Sequence, residues 1–215
     1  MAEAGITFRG TSAAVLQVLI AARANGVVIN RTKLAKLLYL ADLRAVDEDL
    51  PPGSDVDWRW RHYGPYSDAL LAVERDLESA GVMEVSKTQN YFGAREIRLR
   101  LCAEDPQVSI DSRFAAIVDR IIQENGRLSA SQLKDLTYQT PPMRAAQRVG
   151  QRELRLDLSG GDPYPDMHDA LARLRRIAAA SPLPEDEPGA LEDLAAEVDE
   201  WAHLRREATS RIIDE

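Results

Sequence analysis

The sequence contains a single cysteine, Cys102, among 215 residues. One cysteine excludes an intramolecular disulfide framework and any zinc site built from several cysteines. The sequence also lacks a run of about 18 apolar residues, so it predicts no transmembrane helix and no membrane partner. Its first residues lack the basic segment and the following apolar segment of a secretory signal. We therefore expect a cytoplasmic protein.

Patterns that bind metals or catalyse reactions are equally scarce. The three histidines, at positions 62, 168 and 203, form no pair at the spacing of one helical turn, so no metal site is predicted. A Gly-x-Ser-x-Gly motif and a phosphate-binding glycine loop are both absent. Cys102 follows a predicted strand of isoleucine and leucine, and we expect it to be a buried, unreactive thiol. No cofactor is predicted.

Acidic residues near the end of the second predicted helix are the remaining candidates for catalysis, because paired carboxylates can act as general acid and base. They are Asp42, Asp47, Glu48 and Asp49. We expect them to form a solvent-exposed face instead. Glu74 and Glu78, on the third predicted helix, are also expected to be surface charges. The sequence therefore does not predict an enzyme.

Negative charge is concentrated in the last quarter of the sequence. Residues 1–157 contain 21 Lys and Arg and 21 Asp and Glu, whereas residues 158–215 contain 6 and 14, which accounts for the net charge of −8. An acidic protein repels the phosphate backbone of nucleic acids. We therefore do not expect nucleic acid to be a partner.

Apolar spacing predicts a mainly α fold, a helical domain with a small antiparallel β-hairpin and a C-terminal helical extension. Two segments rich in glycine and proline, at 158–165 and 181–189, interrupt the pattern. We predict three regions from these breaks. They are a helical domain with a β-hairpin at 1–157, a loop with one helix and an acidic connector at 158–189, and an amphipathic helix at 190–215.

Local signals place the elements of the first region. Asn30 precedes the second predicted helix as its N-cap, and Ser129 with Gln132 forms a capping box before a later one. Alternating apolar and polar residues predict one strand at 56–62 and two more at 82–85 and 94–101. The resulting order of helix, helix, strand, helix and two-stranded hairpin is also that of a winged-helix domain.

One ten-residue segment, Trp58–Ser67, concentrates aromatic residues and arginine. Such residues anchor protein interfaces because they bury much area while a polar tip stays hydrogen-bonded. The Gly-Pro step inside the segment predicts a sharp turn that presents the two tyrosines. Packing in the core is the alternative; we favour it for the two tryptophans, whereas both interpretations stay open for the tyrosines. The predicted partner-binding residues are Arg61, Tyr63, Gly64, Pro65 and Tyr66.

Four segments follow one another along the first region. They are Lys33–Asp42, His62–Ser67, Leu77–Gly81 and Leu133–Pro142. In this order and spacing they resemble the Panacea antitoxin domain, also called SocA-like, over roughly residues 12–150. The resemblance implies a helical, winged-helix-like domain that neutralises a cognate protein toxin by direct contact, or delivers it to a protease, without chemistry of its own.

The partner that this resemblance implies is a cognate protein toxin, with a protease or chaperone as a further partner. The last predicted helix carries an apolar seam, which makes it a candidate for a second partner surface or a homodimer contact. A rival interpretation is a winged-helix transcription regulator that contacts phosphates through Arg95, Arg98 and Arg100. The balanced charge before position 158 and a predicted loop at 86–93 with Lys87 as its one basic residue count against it.

Overall fold

The computed structural model describes residues 6–61, 63–89, 93, 95–150, 152–159 and 174–177. The chain divides into two compact units, Met1–Pro163 and Tyr164–Glu215. In the second unit residues 174–177 are helical, within the part of the chain where one helix is predicted. The acidic connector and the amphipathic helix predicted at 190–215 lie outside the described residues, and the three-region division stays a prediction.

The described part of the first unit contains six helices and five strands. The helices are α1 (Gly10–Ala24), α2 (Arg31–Asp47), α3 (Ala69–Ser79), α4 (Ser112–Asn125), α5 (Ala130–Tyr138) and α6 (Pro141–Val149). The strands are β1 (Ile29–Asn30), β2 (Arg59–Arg61), β3 (Gly64–Tyr66), β4 (Met83–Gln89) and β5 (Arg95–Leu101). The fold is mostly helical with two small antiparallel sheets, as the sequence predicts at this level.

The larger sheet has the strand order β1-β5-β4. β4 and β5 pair from Met83 opposite Leu101 to Gln89 opposite Arg95, and Ile29 of β1 lies opposite Leu99. The predicted strand at 82–85 is therefore longer than expected, and Lys87 lies in β4 rather than in a loop. The smaller sheet is the hairpin of β2 and β3.

Two predicted helix caps are confirmed. The side chain of Asn30 accepts a hydrogen bond from the backbone N–H of Lys33 at 2.8 Å. Ser129 and Gln132 exchange hydrogen bonds between side chain and backbone in both directions, which defines a capping box. Each cap satisfies backbone N–H groups that the first turn of a helix leaves without an intrahelical partner.

Helix α2 lies at the centre of the core. All ten residues of Leu34–Leu43 are buried, because α2 packs against α1, α4 and α5. A helix that is apolar on every side is stable only when neighbours cover it all round. Lys36 and Asp42 are the two charged residues within this buried stretch.

Two sequence-based expectations in this region are wrong. The strand predicted at 56–62 is confined to Arg59–Arg61 among the described residues, because its partner strand β3 is only three residues long. Cys102 is exposed rather than buried. Leu99 and Leu101 face the core, so the twofold alternation of the strand directs the next even-numbered side chain outward.

Candidate functional site

Strand β2 of the β2–β3 hairpin is hydrogen-bonded along both of its edges. Arg59 lies opposite Tyr66, Trp60 opposite Pro65 and Arg61 opposite Gly64. On the other edge of β2, the N–H of Trp60 donates to the carbonyl of Leu154 at 3.0 Å, and its own carbonyl accepts from Glu153 at 2.9 Å. This second edge is bonded because the chain returns after α6, which local sequence patterns do not reveal.

The two tryptophans are core residues, as predicted. Trp58 is 1% exposed and Trp60 is 7% exposed. The indole N–H of Trp60 donates to the hydroxyl of Tyr138 at 3.2 Å, and the guanidinium of Arg152 lies 4.6 Å from its ring centre. Their burial fixes the base of the hairpin, so the turn itself projects from a rigid support.

Arg61 is clamped between two carboxylates. Its guanidinium donates to both carboxylate oxygens of Glu153, at 2.8 and 3.0 Å, and to both of Asp68, at 2.9 Å each. The bonds to Glu153, and then those to Asp68, raise the pKa of Arg61. Its guanidinium carbon also lies 5.1 Å from the ring centre of Tyr66. The charge of Arg61 is therefore compensated within the chain, and its side chain fixes the orientation of Tyr66.

Gly64 fits its position because the backbone there is left-handed and crowded. Its φ angle is +100°, and a Cβ atom would lie 3.1 Å from the Tyr138 ring, 3.2 Å from Oγ1 of Thr137 and 3.4 Å from Nζ of Lys36. A side chain at this position would be strained and would press on α5. The glycine thus allows β3 to lie directly against α2 and α5.

A surface pocket of about 290 Å³ lies between α2 and the hairpin. Its walls are formed by Arg31, Thr32, Ala35, Lys36, Arg61, Tyr63, Gly64 and Tyr66. Tyr63 is 72% exposed, whereas Pro65 is buried and does not contribute to the walls. The structure therefore brings four of the five predicted partner-binding residues to one pocket and places the fifth beneath it.

Lys36 is the functional candidate that sequence analysis missed. It is 3% exposed, and its ammonium donates to the carbonyl of Pro65 at 2.8 Å. Burial lowers the pKa of Lys36 to about 7, because the low-polarity surroundings disfavour the charged form. Within the described residues no carboxylate pairs with it. A lone lysine inside an otherwise apolar helical run was the available sequence signal.

Arg31, on the rim of the same pocket, is paired with Glu74. Its Nε donates to the two carboxylate oxygens at 3.1 and 2.8 Å, and a terminal guanidinium nitrogen lies 2.6 Å from Oε2. Glu74 is 2% exposed, so the expectation that it is a surface charge is wrong. Glu74 lies on α3, and its carboxylate is buried where it meets Arg31 at the start of α2. Arg31 is distant in the sequence, so local pattern could not reveal this burial.

Asp42 is also buried, contrary to the expectation of a solvent-exposed acidic face. Its carboxylate accepts from the indole N–H of Trp58 at 2.7 Å, from the backbone N–H of Ser54 at 3.1 Å and from the Ser54 hydroxyl. Burial raises the pKa of Asp42 to about 6, against the opposing effect of these hydrogen bonds. The neighbouring acids at 47–49 are exposed as predicted.

The arginines of β5 are partly compensated by carboxylates of the same sheet. Arg98 pairs with Glu96, and Arg100 pairs with Glu84. Such pairs lower the positive potential that phosphate binding requires. Among the described residues, no group of three metal-ligating side chains lies together, and no helix is long and apolar enough to span a membrane. His62, the one histidine of the hairpin segment, lies outside the described residues.

A family model for the antitoxin SocA-like Panacea domain matches residues 34–142, just over half of the chain. The match begins in α2 and ends at the start of α6, so it includes the whole β2–β3 hairpin and most of the pocket wall. No curated protein and no solved structure shows a significant match. The chain belongs to the SocA-like antitoxin family, as the segments around Lys33–Asp42 and His62–Ser67 predict.

Proposed function

We propose that this protein neutralises a cognate protein toxin by direct contact through the hairpin and the adjoining pocket, a surface we call the hairpin face. The family supports a role in a toxin–antitoxin pair. The observation that carries the choice of surface is Tyr63, a 72% exposed aromatic side chain at the tip of a hairpin that is bonded along both edges of β2.

An exposed aromatic residue on a rigid support suits an interface. Tyrosine offers a large contact area with few rotatable bonds, so little conformational entropy is lost when a partner covers it. Tyr66 and Arg61 are already ordered by their mutual contact and by the two carboxylates that hold Arg61. A preorganised surface retains more of its contact energy on binding.

Co-expression is the test of this proposal. The small protein encoded by the neighbouring reading frame is expected to arrest growth when produced alone and to be harmless when the 215-residue chain is produced with it. The Tyr63→Ala, Tyr66→Ala double variant is expected to lose protection, and Val28→Ala, which alters a comparably exposed apolar side chain outside the hairpin, is expected to keep it. A toxin that wild type does not neutralise, or full protection by a folded double variant, would contradict the proposal.

Occlusion and delivery to a protease differ in what happens to the toxin. If the hairpin face occludes the toxin, the toxin persists at constant level in protected cells. If the chain is an adaptor for a protease or chaperone, the toxin level falls after synthesis is stopped. We favour occlusion because the proposed surface is formed within α2, β2 and β3 and needs no further partner to cover a toxin.

We also propose that the first unit is a winged-helix variant with the β2–β3 hairpin inserted between α2 and α3. The element order and the sheet order β1-β5-β4 support this. In DNA-binding relatives of that architecture the helix corresponding to α3 meets the major groove. The exposed charged residues of α3 are Arg75, Asp76 and Glu78. Their net negative charge favours a protein partner over DNA, the alternative function.

A further inference from the structure

The pocket of the hairpin face contains one buried amine, that of Lys36, whose charged form has no carboxylate partner in the described part of the chain. Lys36 is 3% exposed, and the carbonyl of Pro65 accepts one of the three ammonium protons. A buried ammonium without a counter-charge is costly, and such groups are normally paired. The other two cations of the pocket wall are paired, Arg31 with Glu74 and Arg61 with Asp68 and Glu153.

The pocket gives access to this part of the structure. Lys36 belongs to the pocket wall together with Gly64, and a Cβ atom at Gly64 would lie 3.4 Å from Nζ. That Cβ would also lie 3.1 Å from the Tyr138 ring and 3.2 Å from Oγ1 of Thr137, so glycine lets the hairpin backbone lie close to the ammonium where α5 also packs. Apart from the ion-paired Arg31 and Arg61, the other wall residues are Tyr63, Tyr66, Ala35 and Thr32, which offer mostly apolar contacts around Lys36.

We propose that this pocket receives an acidic side chain, aspartate or glutamate, of the bound toxin, and that its carboxylate pairs with Lys36. The inference rests on the proposed function of the hairpin face and names the chemistry by which that face recognises its partner. The incoming carboxylate supplies the counter-charge that Lys36 lacks, in a site that the toxin itself shields from water. Charge-assisted hydrogen bonds are strongest in such surroundings.

An acidic side chain fits the pocket better than a terminal carboxylate does. C-terminal carboxylates are typically captured by successive backbone N–H groups that form a nest. Here the charged group is a side-chain ammonium, and the walls include aromatic rings on which the methylene groups of an acidic side chain can pack. A purely apolar occupant would leave the ammonium of Lys36 unpaired and fully desolvated, which costs affinity.

Small probes test this chemistry without the toxin. The chain has four lysines, Lys33, Lys36, Lys87 and Lys134, so NMR of protein with ¹³C-labelled lysine gives four resolvable ε-methylene signals. The probes are N-acetylglutamate N′-methylamide, whose one carboxylate is in the side chain, its neutral glutamine counterpart, and N-acetylglycine, whose one carboxylate is terminal. The Lys36→Met variant assigns the signal, and Lys134→Met, at a half-exposed lysine of α5, is the matched control.

The glutamate probe is expected to shift the Lys36 signal saturably and to bind at least about tenfold more tightly than the glutamine probe. Lys36→Met should remove this preference when the titration is followed on the probe's signals, and Lys134→Met should keep it. Equal binding of the glutamate and glutamine probes, stronger binding of N-acetylglycine, or no saturable shift with any probe up to about 100 mM would overturn the inference.

The neutralisation assay separates this inference from the proposed function. Lys36→Met is expected to weaken protection at least about tenfold in the amount of protein required, whereas Lys134→Met leaves protection unchanged. If the Tyr63→Ala, Tyr66→Ala variant fails to protect while a folded Lys36→Met variant protects fully, the hairpin face is retained and the carboxylate subsite is refuted. If neither variant alters protection, the proposed function itself fails.

Discussion

Helix α2 carries two buried charges that have opposite surroundings. Asp42, in its fourth turn, accepts hydrogen bonds from Trp58 and from the backbone and hydroxyl of Ser54. Lys36, nearer its start, has one acceptor among the residues that the structure describes, the carbonyl of Pro65, and borders a pocket. Hydrogen bonds within the fold offset much of the cost of burying the first charge, although burial still raises its pKa, whereas the second has less compensation.

This difference separates a structural role from a binding role. A charge whose hydrogen-bonding capacity is filled within the chain joins segments together, here α2 to the loop that carries Ser54 and Trp58. A charge left partly satisfied beside an opening raises the free energy of the unbound protein and is compensated when a partner arrives. Burial by itself therefore does not identify a functional residue. A buried charge with few hydrogen-bond partners inside the chain is the better candidate.

The largest expected effect is the loss of Asp42. Asp42→Ala leaves three buried donors without an acceptor, so the free energy of unfolding should fall by about 4 kcal/mol. Urea denaturation measures the change. Asp47→Ala, at an exposed acid of the same helix, should change it by less than about 0.5 kcal/mol. Equal effects of the two substitutions would remove the contrast between the satisfied charge and a surface charge.

Stability should also depend on pH through Asp42. Its pKa is about 6 in the folded chain against 3.8 for the ordinary group, so folding favours the protonated form. The stability gained from protonation is complete below 3.8 and is lost as pH rises through about 6. Between these limits the unfolding free energy of wild type minus that of Asp42→Asn should decrease with rising pH, by on the order of 3 kcal/mol. A difference that is flat across this window would contradict the account.

Glu74 should give an intermediate effect because one internal partner, Arg31, compensates it. Glu74→Ala removes a buried carboxylate and frees a guanidinium that is 34% exposed and can turn to water. We expect a loss of about 2 kcal/mol of unfolding free energy. Glu78→Ala, at an exposed acid of the same helix, is the control and should be near neutral. If Glu74→Ala leaves the free energy of unfolding unchanged, this carboxylate contributes no more to stability than a surface charge does.

The expected change of opposite sign belongs to Lys36. Lys36→Met keeps the apolar stem, removes the cost of burying the ammonium and loses one hydrogen bond to Pro65, so we expect a net stabilisation of at least about 1 kcal/mol near neutral pH. The folded pKa of about 7 lies below the ordinary 10.5, so wild type loses stability as pH falls from 10.5 to 7 and the variant gains relative to it. Thermal melting across this range measures the difference, and a destabilised variant would make Lys36 a structural residue.

Local sequence signals account for much of the fold. Caps at Asn30 and at Ser129 with Gln132, and the alternation around Leu99, placed helices and strands because such signals act over a few residues. The aromatic segment Trp58–Ser67 was recognisable from composition alone, but its second strand was not predicted, because Gly64 and Pro65, expected to form a turn, lie in β3. The position of the segment on a pocket was not recognisable either, because that depends on contacts such as Arg61 with Glu153, which lie far apart in the sequence.

The charged residues show the same limit. Local pattern assigns a charged side chain to the surface by default, and it failed for Glu74 and Asp42 because their partners come from other elements. Lys36 was overlooked by the same default, because its partner Pro65 also comes from another element. Its place in a helix that is covered on all sides requires it to be buried. Cys102 was misplaced because the alternation of β5 was not extended one residue further.

The affinity of Tyr63→Ala for the toxin tests the central claim most directly. With the purified 215-residue chain and the toxin that it neutralises in the co-expression assay, titration calorimetry should show a loss of affinity of about thirtyfold or more. The thermal melt should stay at the wild-type value, because a side chain that is 72% exposed contributes little to stability. An unchanged affinity, measured for a variant with the wild-type melt, would contradict the account and place the toxin on another surface.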